Sequence, residues 1–432
     1  MDNMKPLNPI QKTVVGVQFL FVAFGATVLV PLLVGLDPST ALFTAGIGTL
    51  IFHLVTKGKV PIFLGSSFAF VAPIIKATEL YGLPGTMSGL VAVGTVYGLM
   101  SLLVRWRGIG FIKRLFPPVV IGPVIILIGL SLAGSGVNMA KENWPLALVA
   151  LLSAILASML GRGMLRLIPI FCGIIVGYLT ASLFGLIDFK PVIEAPWFAF
   201  PQFVKPSLSW EAVIFMIPVT IAPVIEHIGD VYAINEVTGK DFVKDPGLHR
   251  TLIGDGLATS LSALVGGPAN TTYGENTGVL ELSKVHDPKV IRIAALYAII
   301  LSFIPKMAEV IGSMPSAIIG GVSFMLYGMI SAIGVRNVVE NHVDFTKSRN
   351  LIIAGVIFVC GLGFSNGLTF TVAGTDITLT SLAIAAIAGI LLNAILPGND
   401  YHFGKDVEAD SNRGIDMMPN LHEDTSYEDH DE

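Results

Sequence analysis

Apolar stretches recur along the chain at 13–35, 41–56, 61–75, 85–104, 117–135, 145–160, 167–187, 211–234, 248–265, 268–283, 290–312, 315–335, 350–366 and 380–397. A helix needs about 20 apolar residues to cross the ~30 Å hydrocarbon core. The pattern therefore predicts an all-α polytopic membrane protein with fourteen transmembrane segments. Two runs break the rule: the third (KVPIFLGSSFAFVAP) and the tenth (LVGGPANTTYGENTG) are short and interrupted by Gly, Pro and polar residues. Irregular backbone at membrane depth survives only where protein or a water-filled cavity satisfies its N–H and C=O groups. Residues 266–278, GGPANTTYGENTG, are thus the leading candidate for a binding site.

Loop charge decides whether the broken runs cross. Lys57 and Lys59 precede the third run, and Arg105, Arg107, Lys113 and Arg114 follow the fourth, so placing both clusters on the cytoplasmic side requires two crossings between them. Lys240, Lys244 and Arg250 stand in the same relation to Lys284, Lys289 and Arg292 across runs nine and ten. With fourteen crossings and cytoplasmic N- and C-termini, only Lys76, Lys141, Lys190, Lys205 and Lys306 of the 26 Lys and Arg residues lie outside. Omitting one broken run inverts everything after it and destroys this asymmetry.

Composition agrees, with 53% hydrophobic and 13% charged residues among 432. The N-terminus lacks the short apolar core and cleavage site of a signal peptide, so the first run is expected to remain as a span. Cys172 and Cys360 both sit in apolar runs, which argues against a disulfide framework or a thiolate metal site. The net charge of −5 is concentrated at one end. From Asp400 onward eleven acidic residues face only Lys405 and Arg413, and residues 399–432 are expected to form a disordered acidic cytoplasmic tail. No HExxH, His/Cys cluster or GxxxxGK[ST] loop is present, so a metal site, a metalloenzyme and an ATP-driven pump have no feature to stand on. Nor is there a nucleophile–base constellation: the chain reads as no enzyme, without a cofactor and without a nucleic-acid partner.

The halves resemble each other. PPVVIGPVIILIGLSLAG from Pro117 aligns with PSAIIGGVSFMLYGMISAIG from Pro315, placing Pro117 on Pro315 and Gly122 on Gly320. The two broken runs correspond similarly. Seven crossings per half is odd, so the halves have opposite orientation: a 7+7 inverted repeat. Matching Gly/Pro-interrupted segments in two such halves point to a transporter's midplane site, where helix ends present N–H groups and positive dipole to a polar ligand.

Ionisable residues within the spans supply the chemistry. IPVTIAPVIEHIGDVYAINEVTG places Glu226 and Asp230 on one helix face, with His227 about 100° away. An ionised acid at the bilayer centre costs about 2.5–3.5 kcal/mol even on the mild scale, so two on one face need a cavity, a ligand or a proton. Asp230 could instead cap or pair near the cytoplasmic end. Glu275 lies in the tenth run beside Tyr273, Gly274 and Asn276. A carboxylate next to free backbone donors suits a planar heterocycle bearing both N–H and C=O groups better than a simple anion. Phe68 could add a backbone donor from the other half, Tyr327 an aromatic wall, and Asp255 support from run nine. Tyr327 also has an ordinary packing role open to it, and Asp255 a bond to neighbouring helices.

FGATVLVP at 24–31, GSSFAF at 65–70, EHIGD at 226–230, DPGLHR at 245–250 and NTTYGENTG at 270–278 resemble the nucleobase–ascorbate transporter family, in its bacterial uracil permease branch. ENTGVLELSK at 275–284 is similar to the family signature, with Ser283 in place of the usual Thr. The resemblance spans nearly all of the chain except the tail. It implies a core domain (1–110 with spans 1–4, and 201–312 with spans 8–11) and a gate domain (111–200 with spans 5–7, and 313–398 with spans 12–14). It implies that Glu226 and Glu275 hold the base through side chains, that Phe68 and Gly274 contribute backbone groups, and that Tyr273 and Tyr327 line the pocket. It further implies proton symport at a bacterial plasma membrane, commonly by a homodimer. Asp230 stands where the best-described uracil permease has histidine, so that residue's role does not carry over; Asp230 could support Glu226 or join the proton path. The expected activity is uracil–proton import by alternating access, with xanthine or another purine base, or an anion, as alternative cargo.

Overall fold

The computed structural model describes residues 9–108, 110, 114–364, 367–372 and 375–398; the acidic tail lies outside them. Most of the apolar runs are helical among the described residues. In order these are α1 (Pro9–Val34), α2 (Pro38–Val55), α3 (Val71–Arg107), α4 (Pro118–Ala140), α5 (Trp144–Leu160), α6 (Pro169–Leu183) and the short α7 (Lys190–Glu194). There follow α8 (Trp210–Val219), α9 (Ile221–Thr238), α10 (Leu248–Leu264), α11 (Glu275–Ser283), α12 (Pro288–Ser302), α13 (Pro305–Gly312), α14 (Ser316–Glu340), α15 (Ser348–Gly363) and α16 (Ser381–Ile395).

Local chemistry sets the boundaries. Asp37 caps α2 by accepting from the Ser39 and Thr40 N–H groups, with Pro38 at the first helical position. Ser209, Asp287 and Thr380 cap α8, α12 and α16 in the same way. Runs three and four, read as separate, are joined in α3, but Gly82 interrupts it with φ 70° and ψ 164°, two residues before Pro84. Run eight divides at Thr220, after Pro218, into α8 and α9.

Six helical stretches among the described residues are long and apolar enough to cross a membrane, one of them α8 and α9 taken together. A seventh span results if α12 and α13, bent by 82°, count as one. Leu152, Leu156, Leu179 and Leu183 project from the molecule largely exposed, an exterior suited to acyl chains rather than to water.

Among the described residues, two small sheets depart from the all-helical expectation. β1 (Leu64–Ser66) pairs antiparallel with β2 (Asn270–Thr272), joining Leu64 to Thr272, Gly65 to Thr271 and Ser66 to Asn270. β3 (Leu368–Val372) and β4 (Thr375–Leu379) form a hairpin between α15 and α16. Each is too short, or too polar on one face, to stand out from a hydropathy profile dominated by helices.

Helices α2, α3, α8, α10 and α12 pack together, whereas α4 packs along α14 beside α5, α15 and α16. The α4–α14 contact makes the internal repeat visible. A side chain at Gly122 would sit 3.0 Å from the Gly334 carbonyl oxygen, and one at Gly320 would sit 2.9 Å from that of Gly136. Early residues of each helix thus meet late residues of the other, so the pair is antiparallel. The same 198-residue offset that aligns Pro117 with Pro315 carries Gly122 onto Gly320 and Gly136 onto Gly334, so each contact maps onto the other. Gly122→Val and Gly320→Val are therefore expected to destabilise the protein to similar extents, by about 1–3 kcal/mol each from overpacking. Thermal unfolding in detergent checks this, and a silent substitution at either glycine would contradict it.

Candidate functional site

The two broken runs meet at the β1–β2 pair, whose six residues are all buried. Neighbouring bonds extend the pairing: Ser67 N–H donates to the Ala269 carbonyl (2.8 Å) and Tyr273 N–H to the Phe63 carbonyl (3.2 Å). Within two residues of each strand a helix begins, through a 3-10 turn at Phe68–Phe70 into α3 and through Gly274 into α11. Because the strands are antiparallel, the chain leaves the pair in opposite directions. Two helix N-termini therefore flank it, each bringing the positive end of a helix dipole.

Polar side chains from the surrounding helices fix the ribbon. Thr49 on α2 brackets Leu64, accepting from its N–H at 2.9 Å. Asn270 donates to the Thr44 carbonyl at 3.1 Å, and Thr259 on α10 donates to the Asn270 carbonyl at 2.7 Å. Tyr273 lies buried across Gly65, where a side chain would fall 2.6 Å from its hydroxyl. That hydroxyl donates to the Ser66 carbonyl at 3.0 Å and lies 3.3 Å from Thr27 Oγ1. Tyr273, expected to line the pocket, thus also clamps the two broken segments together.

Helix α9 brings the acids to the ribbon. Asp230 is only 8% exposed, and its Oδ2 accepts from the Thr272 hydroxyl at 2.7 Å. Its Oδ1 lies 2.8 Å from where a Cβ on Gly274 would be, so Gly274 is in contact with this carboxylate and only a hydrogen fits between them. Glu226, one turn earlier, is half-buried and lies near enough to Tyr97 to act on it electrostatically. Phe68 meets Tyr327 of α14 edge-on, with ring centroids 6.1 Å apart, joining the ribbon to the α4–α14 pair. Asn276 is buried at 1% exposure, and neither amide atom finds a hydrogen-bond partner among the described residues. The backbone of Glu275 opens α11, but its side chain lies outside the described residues.

Helical periodicity placed His227 away from Glu226 and Asp230 and assigned it no part in the site. It is fully buried, with Nδ1 3.0 Å from Asp255 Oδ2 and Nε2 3.0 Å from Thr251 Oγ1, both on α10. Asp255, expected as a support, has the Tyr97 hydroxyl beside it as well. The recoverable signal was a second pair of ionisable residues inside apolar runs, His227 and Asp255. Among the described residues no group of three or more His, Cys, Asp or Glu side chains could hold a metal ion. A cavity of about 180 Å³ lies along α4 and α14 beside Tyr327; none of the acids line it.

Residues 10–370 match the model of a family described as the Permease family. A probable uracil permease of Pasteurella multocida is 45% identical over 399 residues, covering 90% of this chain and 94% of that protein. A uracil permease of Bacillus caldolyticus is 47% identical over 396 residues, covering 88% and 91%. Among solved structures, a murine solute carrier 26 anion transporter in the inward-facing state superposes with a TM-score of 0.65 at 12% identity, covering 91% of this chain and 69% of that one. The transmembrane domain of a cyanobacterial bicarbonate transporter gives 0.58 at 14% identity, covering 78% and 97%. At such identities the likeness concerns the fold alone.

Proposed function

Since the chain belongs to the Permease family, that of the nucleobase–ascorbate transporters, we propose that it imports uracil together with a proton. The chain is a transporter and not an enzyme. The observation that carries the reading is the bond from Thr272 of the buried strand pair to Asp230, one helical turn from Glu226 on α9, with two helix N-termini flanking the pair. Such a site offers acceptors for the ring N–H groups of a pyrimidine and backbone donors for its carbonyl oxygens. A purely anionic cargo would meet carboxylates, which disfavours the anion reading despite the shared fold. Glu226 and Glu275 hold the base, Phe68 and Gly274 add backbone groups, Tyr273 and Tyr327 enclose it, and Asn276 and Asp255 support them.

The finer architecture belongs to the same proposal: fourteen crossings as a 7+7 inverted repeat, with both termini cytoplasmic in a bacterial plasma membrane. The 37 residues of α3 would measure about 55 Å as one straight helix, nearly twice the hydrocarbon thickness, which supports two crossings separated at Gly82. The packing of α2, α3, α8, α10 and α12 apart from α4, α5, α14, α15 and α16 supports a core moving against a gate, and two chains are proposed to associate. Protonation at Glu226 and Asp230 neutralises the site before the loaded core moves, because an uncompensated buried charge opposes that movement. Carrying one proton with a neutral base couples uptake to about 2.3 kcal/mol per 100 mV of membrane potential.

Labelled uracil in proteoliposomes is expected to accumulate only under an inward proton gradient, and xanthine is expected not to compete. Accumulation indifferent to the gradient would sink the coupling, and preferential competition by xanthine would reassign the cargo.

A further inference from the structure

The contacts around His227 give a proton on either ring nitrogen a neighbour to share it with. With the Thr251 hydroxyl turned to the Leu248 carbonyl at 3.0 Å, its oxygen is left to accept a proton from His227 Nε2, 3.0 Å away. Nδ1 faces Asp255 Oδ2 at 3.0 Å with both side chains wholly buried. Were the ring neutral and the acid ionised, a nitrogen lone pair would face a carboxylate lone pair inside the protein. A second proton shared between Nδ1 and Oδ2 would remove that repulsion and make the His227–Asp255 unit a buried proton holder, uncharged overall. It stands one step from the acids of the site: Nδ1 is 3.5 Å from Thr272 Oγ1, which donates to Asp230 Oδ2 at 2.7 Å.

We infer that His227 is a further residue of proton coupling, exchanging the proton it shares with Asp255 with Asp230 through the hydroxyl of Thr272. The inference rests on the proton-symport reading above and adds a path to it. In the forward step the Nδ1–H bond breaks as a Thr272 O–H bond forms, while the original Thr272 O–H breaks and an Asp230 O–H forms. Thr272 ends unchanged, His227 ends neutral with its proton on Nε2, and Asp230 ends as an uncharged acid. Asp255 keeps its negative charge beside the Tyr97 hydroxyl, and the lone-pair repulsion this leaves between Nδ1 and Oδ2 makes it the costlier state, which draws a proton back onto Nδ1 once Asp230 has released its own. The 3.5 Å gap is longer than an ordinary hydrogen bond, so the path is open here and closes when β2 moves against α9. The titratable groups facing the path are Glu226 and Asp230 from α9, Asp255 from α10 and Tyr97 from α3. His227 is a positioning and relay residue and need not touch the base.

The test separates proton movement from substrate movement. Purified protein in proteoliposomes is assayed with labelled uracil for accumulation driven by a proton gradient and for uracil–uracil exchange without one. Losing the relay hydroxyl in Thr272→Val is expected to lower the ratio of driven accumulation to exchange by about tenfold, the scale of one lost hydrogen bond at the upper end of its net range. Thr272→Ser, which restores the hydroxyl, is expected to restore the ratio and the pH profile of uptake. His227→Gln is expected to lower the ratio as Thr272→Val does, and Thr272→Ala substitutes if the valine variant does not fold. The path is overturned if the ratio stays within about twofold of the unsubstituted protein in these variants, or if serine fails to restore it. If the unsubstituted protein itself shows no gradient dependence, the symport reading fails and takes this inference with it.

Discussion

Uracil uptake by Glu226→Gln is expected to fall by about 10- to 100-fold, the equivalent of losing a charge-assisted hydrogen bond worth roughly 1.5–3 kcal/mol. Gln keeps the length and helix propensity of Glu, so α9 should remain intact. What changes is the face offered to the base. A carboxylate presents two acceptors to neighbouring ring N–H groups, whereas the amide presents one acceptor and one donor. The variant also cannot be neutralised by a proton, so its remaining transport should lose dependence on the gradient. Initial rates of labelled uracil entry at two internal pH values measure both effects. Uptake equal to that of the unsubstituted protein would remove Glu226 from the site.

The second large effect is expected at Gly65. Its α-carbon lies against the Tyr273 ring, and a methyl group there would fall 2.5 Å from the ring carbon Cε2. The ring cannot simply swing away, because its hydroxyl is bonded to the Ser66 carbonyl and lies beside Thr27. Gly65→Ala should therefore cost about 3 kcal/mol, the upper range for overpacking, and abolish uptake by displacing both broken segments at once. Thermal unfolding and uptake of the purified variant check this. An alanine variant as stable and active as the parent would mean that the clamp does not matter.

The broken runs were legible because Gly, Pro and amide residues within apolar stretches are an unusual combination, and because two of them occupy matching places in the halves. The repeat was legible from Pro117 and Pro315 for a similar reason: punctuating residues leave marks that Leu, Ile and Val, interchangeable in lipid, do not. The pairing of β1 with β2 was not legible. Three-residue strands carry no periodicity, and their partners lie some two hundred residues apart. His227 escaped for a different reason. Angular position on one helix shows which residues share its face, but it is blind to what the next helix offers. Only the approach of α10 makes the histidine a partner for Asp255. The β3–β4 hairpin had a weak signal in the alternation through Leu368–Leu379, overshadowed by the apolar runs on both sides.

The twin glycine contacts between α4 and α14 have a mechanical meaning. Two bars crossing at one point can pivot like scissors. These helices touch backbone to backbone at Gly122 with Gly334 and at Gly136 with Gly320, fourteen residues or about 21 Å apart along each helix, with Gly129 against Tyr327 between them. Two bolts that far apart lock the angle between the bars. Whatever slides during a transport cycle, these two helices should travel as one plank, giving Tyr327 a fixed mounting from which to meet Phe68.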